Sequence, residues 1–187
     1  MILFCSMYAQ EDTEYDHIDD YIKRIAENDM DAFQLLYQQS SNGVFALALS
    51  ILKNRAEAED VMQDTFLKVR SAAHLYEANG KGKAWIMMIC RNLCLMRIRK
   101  TKFTSFNSVE DYENDFFTTM GDIEDQIVLK TAMETLSTEE SEIVILHVVS
   151  GLKHKEIAEM FHLTLSTVLS KYNRALKKLK KELEGKL

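Results

Sequence analysis

Apolar side chains recur every three or four residues along most of this chain, and few runs alternate as a half-buried strand does. The pattern predicts one long amphipathic helix or a helix pair over 29–54, and another helix that begins near Arg55. A third predicted helix, Lys83–Lys100, is apolar on nearly every side. Such a helix either lies at the centre of its bundle or exposes an apolar surface. The predicted fold class is all-α.

The C-terminal part of the chain predicts a helix-turn-helix. Ser137 is followed by Glu140 in a capping-box pattern, and an apolar helix then continues toward Gly151. HKEIAEMF predicts a short helix, HLT a tight turn, and the run from Leu165 a longer helix. Two helices joined by so short a turn are typical of the helix-turn-helix motif.

The segment 101–122 interrupts the helical pattern with Ser, Thr, Asn and acidic residues. It predicts a linker between a first domain, 1–100, and a second, 123–187. The start, MILFCSMYAQ, lacks the basic residues of a signal peptide, so we expect a frayed tail or a true start at Met7. No run reaches the roughly 18 apolar residues of a membrane span, so no membrane insertion is expected.

Composition supports long helices in a reducing compartment. The 187 residues include no proline and only 6 glycines, so helices meet few breakers. Three unevenly spaced cysteines do not form a disulfide framework, which favours a cytoplasmic location. Cys90 and Cys94 stand four residues apart, but no His or acidic pair accompanies them at ligand spacing. We therefore expect no metal, no cofactor and no catalytic residues.

Charge is segregated along the chain. The net charge of −6 combines −8 over 1–60, +7 over 61–103, −10 over 104–150 and +5 over 151–187. Two basic blocks therefore alternate with acidic ones, and local fields rather than net charge decide where a polyanion can bind. Ordinary solvent-exposed helix faces would produce the same charge blocks. Sequence motifs are therefore needed to decide whether the basic blocks bind a polyanion.

Three helix faces carry candidate chemistry. Around Val168, a helical wheel gathers Leu165, Tyr172, Ala175, Leu176 and Leu179 in an apolar stripe. The other side gathers Thr167, Ser170, Lys171, Arg174, Lys178 and Lys181. Hydroxyls and cations on one face suit phosphates and base edges in a major groove, although a lysine-rich solvent face is the plainer alternative.

The second face opposes a buried side made of Ala58, Val61, Met62, Thr65, Val69 and Ala73. It carries Asp60, Gln63, Asp64 and Leu67, which suits a basic partner or, alternatively, only water.

On the third face, Asn92 lies with Trp85 and Met96, on a helix that also carries Arg91, Arg97, Arg99 and Lys100. Apolar, amide and cationic groups together suit unstacked single-stranded bases. Asn92 could equally be a buried amide with a partner in the core.

The motifs RAEAEDVMQDTFLKV, KAWIMMICRNLCL and KEIAEMFHLTLSTVLSKYNRA together resemble bacterial sigma factors of the extracytoplasmic-function (ECF, group 4) sigma-70 family. The resemblance covers about 30–100 and 125–183. It implies a non-enzymatic subunit that binds core RNA polymerase, through the β′ clamp helices and the β flap, and recognises and melts promoter DNA. An anti-sigma protein is a further partner that the sequence leaves open.

The resemblance also implies residue roles. Core polymerase would contact Asp60, Gln63, Asp64 and Leu67. The minus-ten element would contact Tyr76, Asn79, Lys81, Lys83, Arg91, Asn92 and Arg99. The minus-thirty-five element would contact Ser166, Thr167, Ser170, Lys171, Arg174 and Lys178.

Two positions depart from the family pattern. Leu169 stands where relatives usually carry Lys or Arg, and His162 stands where the turn usually has glycine. The alternative interpretation is a stand-alone helix-turn-helix regulator with an N-terminal sensor domain. A sensor would need a ligand pocket or a dimer face in the first domain.

Overall fold

A computed structural model describes residues 17–104 and 134–184, which form two helical units. The first unit contains α1 (Ile18–Ala26), α2 (Met30–Leu52), α3 (Arg55–Ala72), a 3₁₀ turn (Ala73–Leu75) and α4 (Gly82–Thr104). The second contains α5 (Thr138–Val148), α6 (His154–Phe161) and α7 (Leu165–Glu184). No strand occurs among these residues, which confirms the all-α class. The expected N-terminal tail and the linker beyond residue 104 lie outside the described residues.

Side-chain caps set the helix boundaries of the first unit. Asp29 begins α2 by accepting hydrogen bonds from the backbone N–H groups of Asp31 and Ala32, at 2.9 and 3.1 Å. Lys53 ends α2 in a left-handed conformation, and Asn54 caps α3 by accepting from the N–H of Glu57 at 2.9 Å. The 29–54 segment therefore contains one helix and not a pair, and this helix ends before Arg55 as predicted.

The core of the first unit lies where α4 packs against α2 and α3. Ile22, Leu36, Leu47, Val61 and Ile86 are fully buried there. Burial of each such side chain contributes about 1.5–3 kcal/mol. The buried face of α3 also matches the predicted one, with Met62 only partly covered.

Helix α4 combines both predicted alternatives for an all-round apolar helix. Met87, Cys90 and Cys94 are buried on one side, whereas Met96 keeps 62% of its surface exposed. The helix also continues to Thr104, so the prediction that it ends at Lys100 was wrong. Ser, Thr and Asn lower helix propensity by less than 1 kcal/mol each, too little to stop a helix already formed.

Capping and turn chemistry order the second unit. The Ser137 hydroxyl accepts from the Glu140 N–H at 3.3 Å, and the Glu140 carboxylate accepts from the Ser137 N–H at 3.0 Å, which confirms the capping box. His162 adopts a φ of 53°, the left-handed conformation that glycine usually supplies at this turn. The Leu163 N–H then donates to the Ala158 carbonyl at 2.9 Å, which closes the turn between α6 and α7.

The two units pack directly against each other. Buried Ile143, Leu146 and Leu152 belong to the same hydrophobic cluster as Val44 and Met87. At the contact, a Cβ on Gly43 would lie 3.1 Å from both Met87 Cε and Ser150 Oγ, so glycine permits the close approach. None of the described helices has the length and apolar character needed to cross a membrane.

Candidate nucleic-acid interface

The predicted docking face of α3 is exposed as expected. Asp60, Gln63, Asp64 and Leu67 all face solvent, and Leu67 keeps 61% of its surface exposed. Arg97 Nη2 donates to Asp60 Oδ2 at 3.1 Å, an ion pair that water screens because the Asp60 side chain is 62% exposed. An exposed leucine beside two carboxylates and an amide can bind a partner that is basic and apolar.

The loop of residues 76–81 precedes α4 and is folded around a carboxylate of α1. Asp19 accepts hydrogen bonds from the Tyr76 hydroxyl at 2.9 Å and from the backbone N–H groups of Gly80 and Gly82 at 2.7 and 2.8 Å. Asn79 Oδ1 accepts from the Lys81 N–H at 3.1 Å, an Asx-type turn inside the loop. The sequence did not predict this role for Asp19, because no local pattern links it to hydrogen-bond partners 57 to 63 positions away.

An open cleft of about 480 Å³ lies between this loop, α4 and α6. The Tyr76 and Trp85 rings pack at a centroid distance of 4.9 Å. The lining from the first unit comprises Leu75, Tyr76, Glu77, Asn79, Lys81, Ala84, Trp85 and Met88, and the second unit adds Glu156, Glu159 and Met160. An aromatic wall with an amide and an ammonium group can stack and hydrogen-bond a planar base.

One face of α4 continues from this cleft as an exposed stripe. Asn92, Met96 and Arg99 are exposed at helical spacing, and Trp85 lies two turns before Asn92. Exposure of Asn92 argues against the alternative of a buried amide in the core, while its contact with a base stays a prediction. The stripe presents an amide, an apolar side chain and a cation in that order along the helix.

Two other predicted minus-ten residues bind carboxylates of the second unit. Arg91 Nε donates to Glu142 Oε2 at 2.6 Å, and its guanidinium carbon lies 4.5 Å from the centre of the Phe161 ring. The Arg91 and Glu142 side chains are only 22% and 4% exposed. Lys81 Nζ donates to Glu159 Oε2 at 2.6 Å on the more exposed rim. In this arrangement the second unit covers Arg91 and pairs with Lys81, whose side chain stays 49% exposed.

Helix α7 presents a mixed outer surface. Ser166, Ser170 and Arg174 are exposed and Thr167 is half-buried, with its N–H donating to Thr164 Oγ1 at 3.2 Å. Leu169, the departure from the family pattern, is 38% exposed. Within the predicted apolar stripe, Val168 and Ala175 are buried, whereas Leu165 and Leu176 at its edges remain 45% and 40% exposed.

Lys171 and Lys178 were predicted on the outward side, but at 100° per residue they lie only about 60° and 80° from Val168, beside the buried stripe. Lys171 Nζ donates to Glu139 Oε2 at 2.8 Å, and Lys178 Nζ donates to Glu140 Oε2 at 2.7 Å. The acidic first turn of α5 lies alongside α7 and attracts these long side chains. The Lys178 ammonium holds the pKa of the Glu140 carboxyl below its usual range, despite the burial of that group.

Comparison with known proteins accounts for both units. Residues 36–104 match the family model for sigma-70 region 2, and residues 126–179 match that for sigma-70 region 4. SigW of Bacillus subtilis strain 168, an ECF RNA polymerase sigma factor, is 26% identical over 176 residues, covering 87% of this chain and 94% of the relative. SigX of the same strain is 22% identical over 168 residues, covering 82% and 84%. The chain belongs to the ECF group of the sigma-70 family.

Solved structures of sigma factors share this fold. CnrH, solved in complex with the cytosolic domain of CnrY, is 20% identical with a TM-score of 0.66, covering 91% of this chain and 99% of that one. RpoE, solved in complex with the anti-sigma factor NepR from Bartonella quintana, is 25% identical with a TM-score of 0.66, covering 81% and 96%. Region 2 of this chain therefore includes α2, α3 and α4, while α1 precedes the matched residues. Helices α5, α6 and α7 lie within or close to the region 4 match.

No group of three or more His, Cys, Asp or Glu side chains is placed to hold a metal ion within 17–104 or 134–184. Cys90 and Cys94 are buried free thiols, and the hydrogen bond with Cys94, together with burial, raises the pKa of Cys90. A thiol with a raised pKa is a poor nucleophile and a poor metal ligand.

Proposed function

We propose that this protein binds core RNA polymerase and directs it to promoters, where it recognises and melts DNA without catalytic residues of its own. The observation that carries the proposal is the pair of family matches, region 2 and region 4, in the family's order along one chain. The proposed domains are 1–100 and 123–187 with a linker between them, although the region 2 match and α4 both continue to residue 104.

Core binding is assigned to the acidic face of α3. Asp60, Gln63, Asp64 and Leu67 would contact the β′ clamp helices, and region 4 would contact the β flap. Exposure of all four side chains supports this role, since a docking face must be available before the partner arrives. The Asp60–Arg97 pair does not oppose docking, because an exposed pair contributes only about 0–1 kcal/mol.

Minus-ten recognition is assigned to the loop 76–81 and to α4. Its residues are Tyr76, Asn79, Lys81, Lys83, Arg91, Asn92 and Arg99. The aromatic cleft and the exposed stripe support this assignment, since melted bases need stacking surfaces and edge contacts together.

Minus-thirty-five recognition is assigned to α7, through Ser166, Thr167, Ser170, Lys171, Arg174 and Lys178. The exposed hydroxyls and Arg174 support contacts to base edges and phosphates. Lys171 and Lys178 would exchange their glutamate partners for phosphates, so each contributes less than an unpaired cation would.

Transcript mapping tests the proposal. The purified chain is added to core polymerase with genomic DNA, and the 5′ ends of the transcripts are sequenced; core polymerase alone is the control. We expect new ends that share a two-part upstream sequence. An identical set of ends with and without the chain would contradict the proposal.

The alternative, a stand-alone helix-turn-helix regulator, predicts specific duplex binding without polymerase. It is not favoured, because the region 2 match gives the first unit a role other than ligand sensing. Co-migration with core polymerase on gel filtration separates the two, since a regulator would elute alone. An anti-sigma protein is a further expected partner, since RpoE of Bartonella quintana was solved with one.

A further inference from the structure

We propose that Asp19 is a positioning residue for minus-ten recognition, which holds the loop 76–81 and the start of α4 in the shape that reads the melted strand. The proposal rests on the proposed function and deepens it. Asp19 lies on α1, before the residues that match region 2, and it is remote in sequence from the loop that it contacts.

One carboxylate organises the whole entry to α4. Asp19 Oδ1 accepts from the Tyr76 hydroxyl and from the Gly82 N–H, while Oδ2 accepts from the Gly80 N–H. The three distances, 2.9, 2.8 and 2.7 Å, are those of charge-assisted hydrogen bonds. A negative charge at the N-terminus of α4 is also stabilised by the helix dipole.

Gly82 fits this contact sterically. A Cβ at position 82 would lie 2.6 Å from Asp19 Oδ1, 2.8 Å from Ile18 Cγ2 and 3.0 Å from Ile22 Cδ1. Any side chain there would push α1 away from α4 and break the hydrogen bonds. Gly80 contributes differently, since its φ of 76° is a conformation that glycine adopts without strain.

The same contact fixes the aromatic wall of the cleft. The Tyr76 hydroxyl has one proton to donate, and Asp19 at 2.9 Å is its nearer acceptor, with Asn79 Oδ1 at 3.5 Å. Burial and the hydrogen bond to Asp19 raise the pKa of Tyr76 well above its ordinary value, so the phenol keeps that proton. Tyr76 is thereby held against Trp85, where a flipped base would stack.

The first test needs no polymerase. Asp19→Ala is compared with Asp20→Ala, which removes the same charge from the next residue, where the side chain is 61% exposed. Amide hydrogen exchange followed by NMR in the full chain should show protection at Gly80 and Gly82 falling about 10–100-fold in Asp19→Ala only. Equal protection in both variants would overturn the proposal.

The second test measures promoter opening with core polymerase. Asp19→Ala should slow permanganate-detected melting about tenfold or more and relax base preference at one minus-ten position. Binding to core polymerase and binding of region 4 to the minus-thirty-five duplex should stay unchanged, a separation that general destabilisation would not produce. Asp19→Asn, which keeps the shape but converts one acceptor to a donor, should give an intermediate defect.

The outcomes separate the two proposals. If wild-type chain does not direct transcription at all, the proposed function fails while the exchange result still reports on Asp19. If wild-type chain opens promoters and Asp19→Ala opens them equally fast with the same base preference, the positioning role fails and the function stands.

Discussion

Replacing Asn92 by alanine separates recognition from stability, because the structure places this amide on the surface of α4. A substitution at an exposed site away from caps and pairs usually changes the free energy of unfolding by less than about 0.5 kcal/mol. Alanine also favours a helix interior by about half a kcal/mol over asparagine. The net expectation is an unchanged or slightly raised melting temperature, within about 2 °C.

Promoter opening should respond very differently. If the amide bonds one edge of a flipped base, its loss costs about 1–3 kcal/mol, or roughly 5- to 150-fold in opening at the preferred sequence. Permanganate footprinting of the melted strand measures the rate, and a panel of minus-ten variants measures base preference. Asn42→Ala, an exposed helical asparagine on α2, is the matched control and should change neither.

Two results would refute this reasoning. Unchanged opening and unchanged base preference in Asn92→Ala would remove Asn92 from the recognition surface. A loss of more than about 1 kcal/mol in unfolding free energy would mean that the amide has a structural partner, contrary to its exposure.

Three further predictions follow from the other surfaces. Reversing both Asp60 and Asp64 to Lys should weaken co-purification with core polymerase by about 2–5 kcal/mol at normal circular dichroism; intact binding would contradict the docking face. If Arg174 contacts a base, Arg174→Ala should cost about 1–3 kcal/mol of DNA-binding free energy and relax specificity at one base pair. If it contacts a phosphate, the variant should bind all sequences more weakly, with a flatter dependence of affinity on salt; unchanged specificity and affinity would argue against any contact. Lys178 lowers the pKa of Glu140, so this pair stabilises the fold above pH 4.5, and the stability is lost as pH falls through the lower folded value. Urea unfolding should show the advantage of wild type over Glu140→Gln vanishing in acid; an advantage independent of pH would refute it.

Helix positions were predictable because their signals are local. Capping residues such as Asn54 and Ser137 act on N–H groups two or three residues away, so their effect is visible in a short stretch of sequence. The turn at His162 was located correctly for the same reason, although histidine replaces the usual glycine. The end of α4 was misplaced because polar residues discourage a helix without terminating it.

Contacts between helices were not predictable from the sequence. A helical wheel shows on which face of its own helix a side chain lies, but not which other helix packs against that face. Arg91 and Glu142 are 51 positions apart, and Lys171 and Glu139 are 32 apart. Asp19 was missed for this reason too. The exposed fraction of Leu165 likewise depends on what packs beside α7, which the apolar stripe alone does not specify.

The acidic net charge and the basic surfaces are parts of one arrangement. Lys81, Arg91, Lys171 and Lys178 each bind a glutamate, and three of those four glutamates come from the acidic block 104–150. A phosphate must therefore displace a carboxylate rather than only mobile ions, so the unbound chain should bind DNA weakly and with a shallower salt slope than its cations alone would give. Any partner that draws region 4 away from region 2 would release the half-exposed Lys81 from Glu159 and expose Arg91, the more deeply covered of the two cations.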